Sequence, residues 1–260
     1  MTLTRQDIGT WLINLDRAQA RRQMMEVRLG EIGLPYNRFA AVDGKLHEAA
    51  LMQSVDASAF VRNVGRPILA GEIGCYQSHL NVWQALLESK HKVALILEDD
   101  VVFHEDFLSS IDLALEASCH WDVLRFNCIR AKIAIDQGHI GGYRLNAYIG
   151  PFTGNGAYLI KKDVAARLLP RLLPMTRPFD IELNRFNLHD YRLLGLEPWP
   201  SHVNDDGKST ITGQNFGEVK KFRWYKRLPN YRLRAANYLR RIVYLTRKGM
   251  LFPSGRAKKS

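Results

Sequence analysis

Cysteine is scarce in this 260-residue chain: there are three, Cys75, Cys119 and Cys128, with no close pair. That argues against a disulfide framework or a zinc site and for reduced thiols that fill a core. Long apolar runs are absent too, since none approaches the roughly 18 residues of a membrane span. No apolar signal core follows Met1-Thr2-Leu3-Thr4-Arg5-Gln6-Asp7, so no secretion signal is expected and the cytoplasm is the expected compartment. There is no internal repeat and no low-complexity segment. Acid is nearly missing from one region, because residues 218–260 carry 14 Lys or Arg against a single Glu. The whole chain carries a net +11, so residues 1–217 are close to neutral. A boundary is expected there, between a domain 1–217 large enough to bury a substantial core and a basic segment 218–260.

Against that background stands Lys92-Val93-Ala94-Leu95-Ile96-Leu97-Glu98-Asp99-Asp100-Val101. Its apolar run reads as a short strand buried on both faces, and it ends in three carboxylates. Like charges at the end of a buried strand repel each other and lose solvation, so something must compensate them. Carboxylate oxygens suit hard divalent ions such as Mg²⁺ or Mn²⁺. A solvated acidic turn ahead of the next helix is the simpler alternative. In open α/β sheets ligands sit at the carboxyl ends of the strands, where these acids fall.

Thr10 to Leu15 reads as a first strand, followed by a helix from Asp16 to about Ile32. At the turn between them Arg17, Arg21 or Arg22 could reach a phosphate or form a solvated face. A second strand, Tyr36 to Val42, closes in the turn Asp43-Gly44. One helix is expected over residues 48–60. Gly71 and Gly74 open another that runs to about Ser89, and glycine there lets backbone approach a ligand or a neighbour closely. Ser78 and His79 on that helix face the strand ends or are satisfied within the core. After a helix ending near Ala117 come a strand at 121–126 and β runs at 131–135 and 143–149 around a loop at 137–142. The glycine-punctuated run 152–160 is a strand, 162–173 is a helix, and Pro178-Phe179-Asp180 starts a further one. Residues 195–200 form an edge or terminal strand, His202 lies in the loop after it, and Asp205-Asp206-Gly207 makes a turn. This order implies an α/β fold: one Rossmann-like domain whose mainly parallel sheet is extended by antiparallel strands.

Taken together, several stretches resemble the lipooligosaccharide-type glycosyltransferases of family 25. They are Ile13-Asn14-Leu15-Asp16-Arg17, Phe39-Ala40-Ala41-Val42-Asp43-Gly44, Gly71-Glu72-Ile73-Gly74-Cys75-Tyr76-Gln77-Ser78-His79, Leu95 to Val101, Gly156 to Ile160 and Pro178-Phe179-Asp180. The resemblance covers residues 10–212, with Tyr76-Gln77 a mild departure. It implies a GT-A-like fold and an inverting, metal-dependent transfer, most simply of galactose from UDP-galactose to a lipooligosaccharide or lipopolysaccharide glycan. Glu98-Asp99-Asp100 resembles the family's DXD-like motif. Alternate residues of a strand share a face, so Asp100 is expected as the main ligand of Mn²⁺ or Mg²⁺, with Glu98 second and Asp99 on ribose or sugar. His202 is the imidazole available from a late loop. The expected donor-binding set is Asn14, Leu15, Arg17, Arg21, Asp43, Ser78, His79 and Asp99, with Gly154 and Asn155 beside the donor sugar. By the same resemblance Asp180 is the general base, with Glu182 in reserve.

In the basic segment, Leu228, Tyr231, Ala235, Tyr238, Ile242 and Leu245 fall near one helical face with arginines on much of the rest. Such a helix suits an anionic membrane surface, here the inner face of a bacterial cytoplasmic membrane carrying the glycolipid acceptor. Packing of the helix on the domain is the alternative. Two rival functions remain: nucleic-acid binding through the basic, aromatic tail, which leaves the acidic strand end without a purpose, and metal-dependent phosphohydrolysis at the same acids. With the transferase reading, no nucleic acid partner is expected.

Overall fold

The computed structural model describes residues 3–204 and 222–252. The chain opens with β1 (Ile8–Asn14), α1 (Gln19–Glu31) and β2 (Asn37–Ala40), then α2 (Glu48–Leu51), α3 (Ala57–Val64) and the long α4 (Ala70–Glu88). The central strand β3 (Val93–Glu98) is followed by β4 (Val101–Phe103), α5 (Phe107–Glu116), β5 (Val123–Arg125), β6 (Arg130–Ala131) and a hairpin of β7 (Ala134–Ile140) and β8 (Tyr143–Tyr148). Then come β9 (Phe152–Thr153), β10 (Ala157–Lys161), α6 (Lys162–Leu168), α7 (Phe179–Leu183), α8 (Phe186–His189), β11 (Leu193–Glu197), β12 (Ser201–Val203) and α9 (Leu228–Arg247).

Eight strands form one sheet in the order β2-β1-β3-β10-β5-β11-β8-β7. β1 pairs parallel with β2 and β3, and β5 pairs parallel with β11. β10 and β8 run against the rest. The mainly parallel α/β sheet with antiparallel strands is therefore as the element order implied. Val93 to Leu97 are all fully buried, and each of the large side chains among them contributes about 1.5–3 kcal/mol by leaving water. Register places Leu12 opposite Leu97 and Ile13 opposite Glu98, so β1 and β3 end together. Beyond that edge the chain reverses into β4, which pairs with β12 outside the main sheet.

Four expectations need correction. Residues 48–60 are not one helix: Asp56 accepts from the Ala59 N–H at 2.9 Å and caps α3, while Val55 bridges to Met175. A capped helix start with extended backbone before it cannot be helix interior. The strand after Gly195 is neither edge nor terminal, because β11 lies between β5 and β8. Most of the 137–142 loop is strand, since Gln137–Ile140 continue β7 through a register shift. In α9 Leu245 is buried on the domain rather than lying on an open apolar face. The docked face of this helix holds Asn230, Arg241, Tyr244 and Leu245, whereas Leu228, Tyr231, Leu239, Ile242 and Val243 are exposed on the opposite side. The turn expected at Asp205-Asp206-Gly207 and the last part of the 10–212 resemblance lie outside the described residues.

Candidate active site

The carboxyl ends of β1 and β3, the turn after β2 and the first turns of α4 enclose a cleft lined by Leu15, Arg17, Asp43, Ser78, His79, Glu98, Asp99 and Asp100, among others. Its walls are held together by backbone contact that only glycine permits. A Cβ on Gly44 would stand 1.8 Å from the Ala70 carbonyl oxygen, and one on Gly74 would stand 2.4 Å from that of Val42. Ser78 fastens the same junction: its hydroxyl accepts from the Val42 N–H at 2.8 Å and donates to the Gly74 carbonyl at 2.7 Å. Ser78 thus shapes the cleft from a buried position. At the mouth Arg17 bonds Asp43.

The acidic stretch departs from simple alternation because β3 ends at Glu98 and Asp99-Asp100 form a turn. Asp99 accepts from Asn14 Nδ2 at 2.7 Å and from Arg21 Nη1 at 3.0 Å, and Arg21 also lies 3.7 Å from Asp100. Arg38, not singled out in the sequence, bonds the Asn14 side chain at 3.1 Å and thereby fixes its amide. Asp100 has a different environment. Its Oδ1 is buried and has no hydrogen-bond partner. Burial, with Glu98 nearby, pushes its pKa up to about 7 against the opposing pull of Arg21. A buried carboxylate oxygen with no donor is what a hard cation would satisfy.

Glu98 is positioned from the core. Trp83 Nε1 donates to the Tyr158 hydroxyl at 3.0 Å, and that hydroxyl lies 3.0 Å from His79 Nδ1. In the neutral ring, Tyr158 then donates to Nδ1, leaving Nε2–H to donate to Glu98 Oε1 at 3.2 Å. His79 is fully enclosed and stacks on Phe179 at 4.3 Å between centroids. It therefore orients Glu98 from the cleft wall. Cys75, His79 and Glu98 also bring one ligand atom each within 4.8 Å of one another. Burial, then Glu98, pushes the Cys75 thiol well up, so the hard oxygen set of Asp100 and Glu98 fits Mg²⁺ or Mn²⁺ better than a site built on that thiol.

Phe179 carries α7 against α4, and the next residue is Asp180. Burial raises the Asp180 pKa, while the charge of Arg125 and the backbone N–H groups of Ile181 and Gly154 oppose it. Arg125 is completely buried, bonds the Phe152 carbonyl and reaches the Asp180 carbonyl at 3.4 Å. Gly154 (φ +98°) belongs to this neighbourhood rather than to the strand-end cleft. The buried Asn155 has an unpartnered Oδ1. A charged residue inside the apolar run Val123-Leu124-Arg125-Phe126 was the available signal for Arg125.

The family whose sequence pattern matches residues 7–182 is described as Glycosyltransferase family 25 (LPS biosynthesis protein). The chain belongs to glycosyltransferase family 25. Among its relatives is procollagen galactosyltransferase 1-B of Xenopus laevis, 27% identical over 226 residues, which are 75% of this chain and 36% of that protein. A glycosyltransferase 25 family member of Drosophila pseudoobscura pseudoobscura is 35% identical over 155 residues, 58% of this chain and 23% of that one. Human procollagen galactosyltransferase 2 is 30% identical over 131 residues, 47% and 21% of the two chains. The chain spans about a third of the length of the first of these relatives, and less of the other two.

The family 25 match includes the strand-end cleft and α7 and stops before β12 and α9. Two expected site residues do not fit their roles. Glu182 accepts from Arg177 at 2.8 Å, Arg185 at 2.8 Å and His189 at 3.0 Å. Burial alone would raise its pKa, but the His189 hydrogen bond and the two guanidinium groups outweigh it and hold the carboxyl at about 2. So weak a base, with its oxygens occupied, is a structural hub. His202 is exposed on β12, its Nδ1 2.8 Å from His104 Nε2. It is not among the residues that line the cleft, and a strand pairing invisible in the sequence sets it opposite Val102 in β4.

Proposed function

We propose that this family 25 chain transfers a hexose, galactose from UDP-galactose, to a hydroxyl of a lipid-linked glycan with inversion at the anomeric carbon. The observation that carries the reading is the unpartnered, buried Asp100 Oδ1 at the end of β3, flanked by Glu98 and Asp99. Asp100 and Glu98 would hold Mn²⁺ or Mg²⁺. Such an ion, when bound, neutralises charge on the departing diphosphate. The galactosyl assignment is supported by the names of two of the relatives, and the glycolipid acceptor by the family's description.

The chain's own residues divide the rest of the work. Arg17, paired with Asp43 on the cleft wall, would meet the oxygens of a nucleotide diphosphate lying there, and Arg21 holds Asp99 in place. Glu98, aimed by His79 and Tyr158, fixes the floor. Asp180 takes the proton from the acceptor hydroxyl as its oxygen bonds the anomeric carbon and the bond to UDP breaks. A carboxyl with a raised pKa suits that role. The exposed apolar residues of α9, alternating with arginines, would rest on an anionic membrane surface, placing the enzyme at the inner face of the cytoplasmic membrane.

A panel of nucleotide sugars with Mn²⁺ or EDTA, read as nucleotide release with and without a glycolipid acceptor, tests this reading. Metal-dependent UDP release from one donor, stimulated by acceptor, is expected. Sugar delivered only to water would favour the phosphohydrolase, and salt-sensitive RNA binding with no turnover would favour the nucleic-acid binder. Asp180→Asn is expected to abolish transfer while UDP-galactose binding stays within about twofold of wild type; wild-type turnover in that variant would end the assignment of the base.

A further inference from the structure

A second cleft, of about 370 Å³, lies between α9 and the domain, bounded by β6, β9, α7 and α8. Seven arginines line it, and no carboxylate does. Three of the seven are committed to structure. Arg177 and Arg185 flank the single carboxylate of Glu182, and Arg241 is spent on the carbonyls of Ile149, Gly150 and Asn184. The other four, Arg130, Arg227, Arg234 and Arg240, have no carboxylate partner among the described residues. Arg227 Nε is moreover buried without any hydrogen-bond partner. Gathering guanidinium groups in one recess without an acid raises their mutual repulsion, and a polyvalent anion relieves it. Planar guanidinium forks match phosphate oxygens in particular.

The cleft also has a definite place relative to the proposed chemistry. Ile181 lines it and follows Asp180 in α7; Thr153 lines it and precedes Gly154, whose backbone borders Asp180. The exposed apolar residues of α9 are on the other side of that helix. A ligand in this recess therefore lies across α9 from its exposed apolar residues and beside the proposed base.

We infer that the arginine cleft is an acceptor subsite that binds phosphate or diphosphate groups carried by the acceptor saccharide, an assignment that rests on the transferase reading above. Seating the anionic group there would bring a neighbouring sugar hydroxyl towards Asp180. The expectation is specific: the recess recognises the acceptor, whereas the strand-end cleft recognises the donor.

The test uses the full chain with UDP and Mn²⁺ saturating the strand-end cleft, titrated with glucose 1,6-bisphosphate by calorimetry. Saturable binding is expected, at least about tenfold weaker in the triple variant Arg130→Gln/Arg234→Gln/Arg240→Gln. These three side chains are exposed and make no bonds that hold the fold, so thermal unfolding should match wild type. The triple variant should also raise the KM for a phosphorylated acceptor and leave the donor KM and kcat in place. Absent binding, or equal binding by the triple variant, overturns the inference. So does arginine-dependent binding of phosphatidylglycerol vesicles that the bisphosphate cannot compete, because it would make the anion a lipid headgroup. UDP binding in the same samples reports the donor cleft separately, so its failure would count against the transferase reading and not against the arginine cleft.

Discussion

Replacing Glu182 with Gln separates a structural hub from a catalytic base. The carboxylate is enclosed by Arg177, Arg185 and His189 and titrates at about 2 in the folded protein, against about 4.3 for an unperturbed Glu. At 1.36 kcal/mol per pKa unit that difference amounts to about 3 kcal/mol of stability. Because the folded-state value lies below the unfolded one, the contribution is complete above pH ~4.3 and drains away as the pH falls towards 2. Glutamine keeps the shape and removes the charge, leaving the half-buried guanidinium groups of Arg177 and Arg185 without their counter-ion, for which roughly 3–5 kcal/mol is the upper range of the loss.

Urea unfolding followed by tryptophan fluorescence at pH 7, 5 and 3 measures both parts. The wild type should lose about half of this contribution between pH 5 and 3, and the Gln variant should lack that part of the slope. At pH 7 the variant should unfold several kcal/mol sooner yet turn over at a near wild-type rate where it remains folded. A variant as stable as wild type but devoid of transferase activity would refute the assignment and return Glu182 to the list of candidate bases.

Tyr158→Phe removes the hydroxyl between Trp83 and His79, leaving two buried nitrogens unpaired. A loss of about 1–3 kcal/mol and a slower transfer rate are expected, read by thermal unfolding and UDP release. Asp100→Asn should weaken Mn²⁺ binding at least about tenfold by calorimetry, and unchanged affinity would move the ion elsewhere. For the membrane surface, deleting residues 218–260 is a poor test because Tyr244 and Leu245 pack in the core. Leu239→Glu with Val243→Glu is the better one, since these side chains are 67% and 48% exposed. The pair should abolish binding to anionic vesicles without changing thermal unfolding, and unaltered binding would exclude this face.

The parts of the site legible in the sequence were those encoded locally. An apolar run that stops in three acids can only be a strand end, and Gly71 with Gly74 at a helix start announced a close approach, met by Gly74 against the turn at Val42 and Gly44. What escaped depended on how the chain folds back on itself. Glu182 looked like a spare base because nothing in the spacing of Arg177, Arg185 and His189, all within seven residues of it, announces that the three turn onto one carboxylate. His202 looked like a late-loop ligand because its pairing with Val102 in β4 has no local signature. In α9 the apolar side chains suggested which face would be used, yet the domain takes a mixed one, where Tyr244 and Leu245 enter the core and Arg241 supplies donors to three carbonyls that no helix or strand satisfies.

That last contact ties the basic segment to the domain although the family match stops before it. Arg241 bonds the carbonyl of Asn184; the Asn184 amide bonds the carbonyl of Phe152. The same Phe152 carbonyl accepts from Arg125, whose other nitrogen reaches the carbonyl of Asp180. A single series of hydrogen bonds therefore runs from α9 to the backbone of the proposed base, through two guanidinium groups that have no carboxylate partner among the described residues. Burying such groups is costly, and carbonyls at the ends of short elements accept from their terminal nitrogens, while the Nε of each stays without a partner. The helix is held to the domain by filling that need, and the position of Asp180 is fixed by the same bonds.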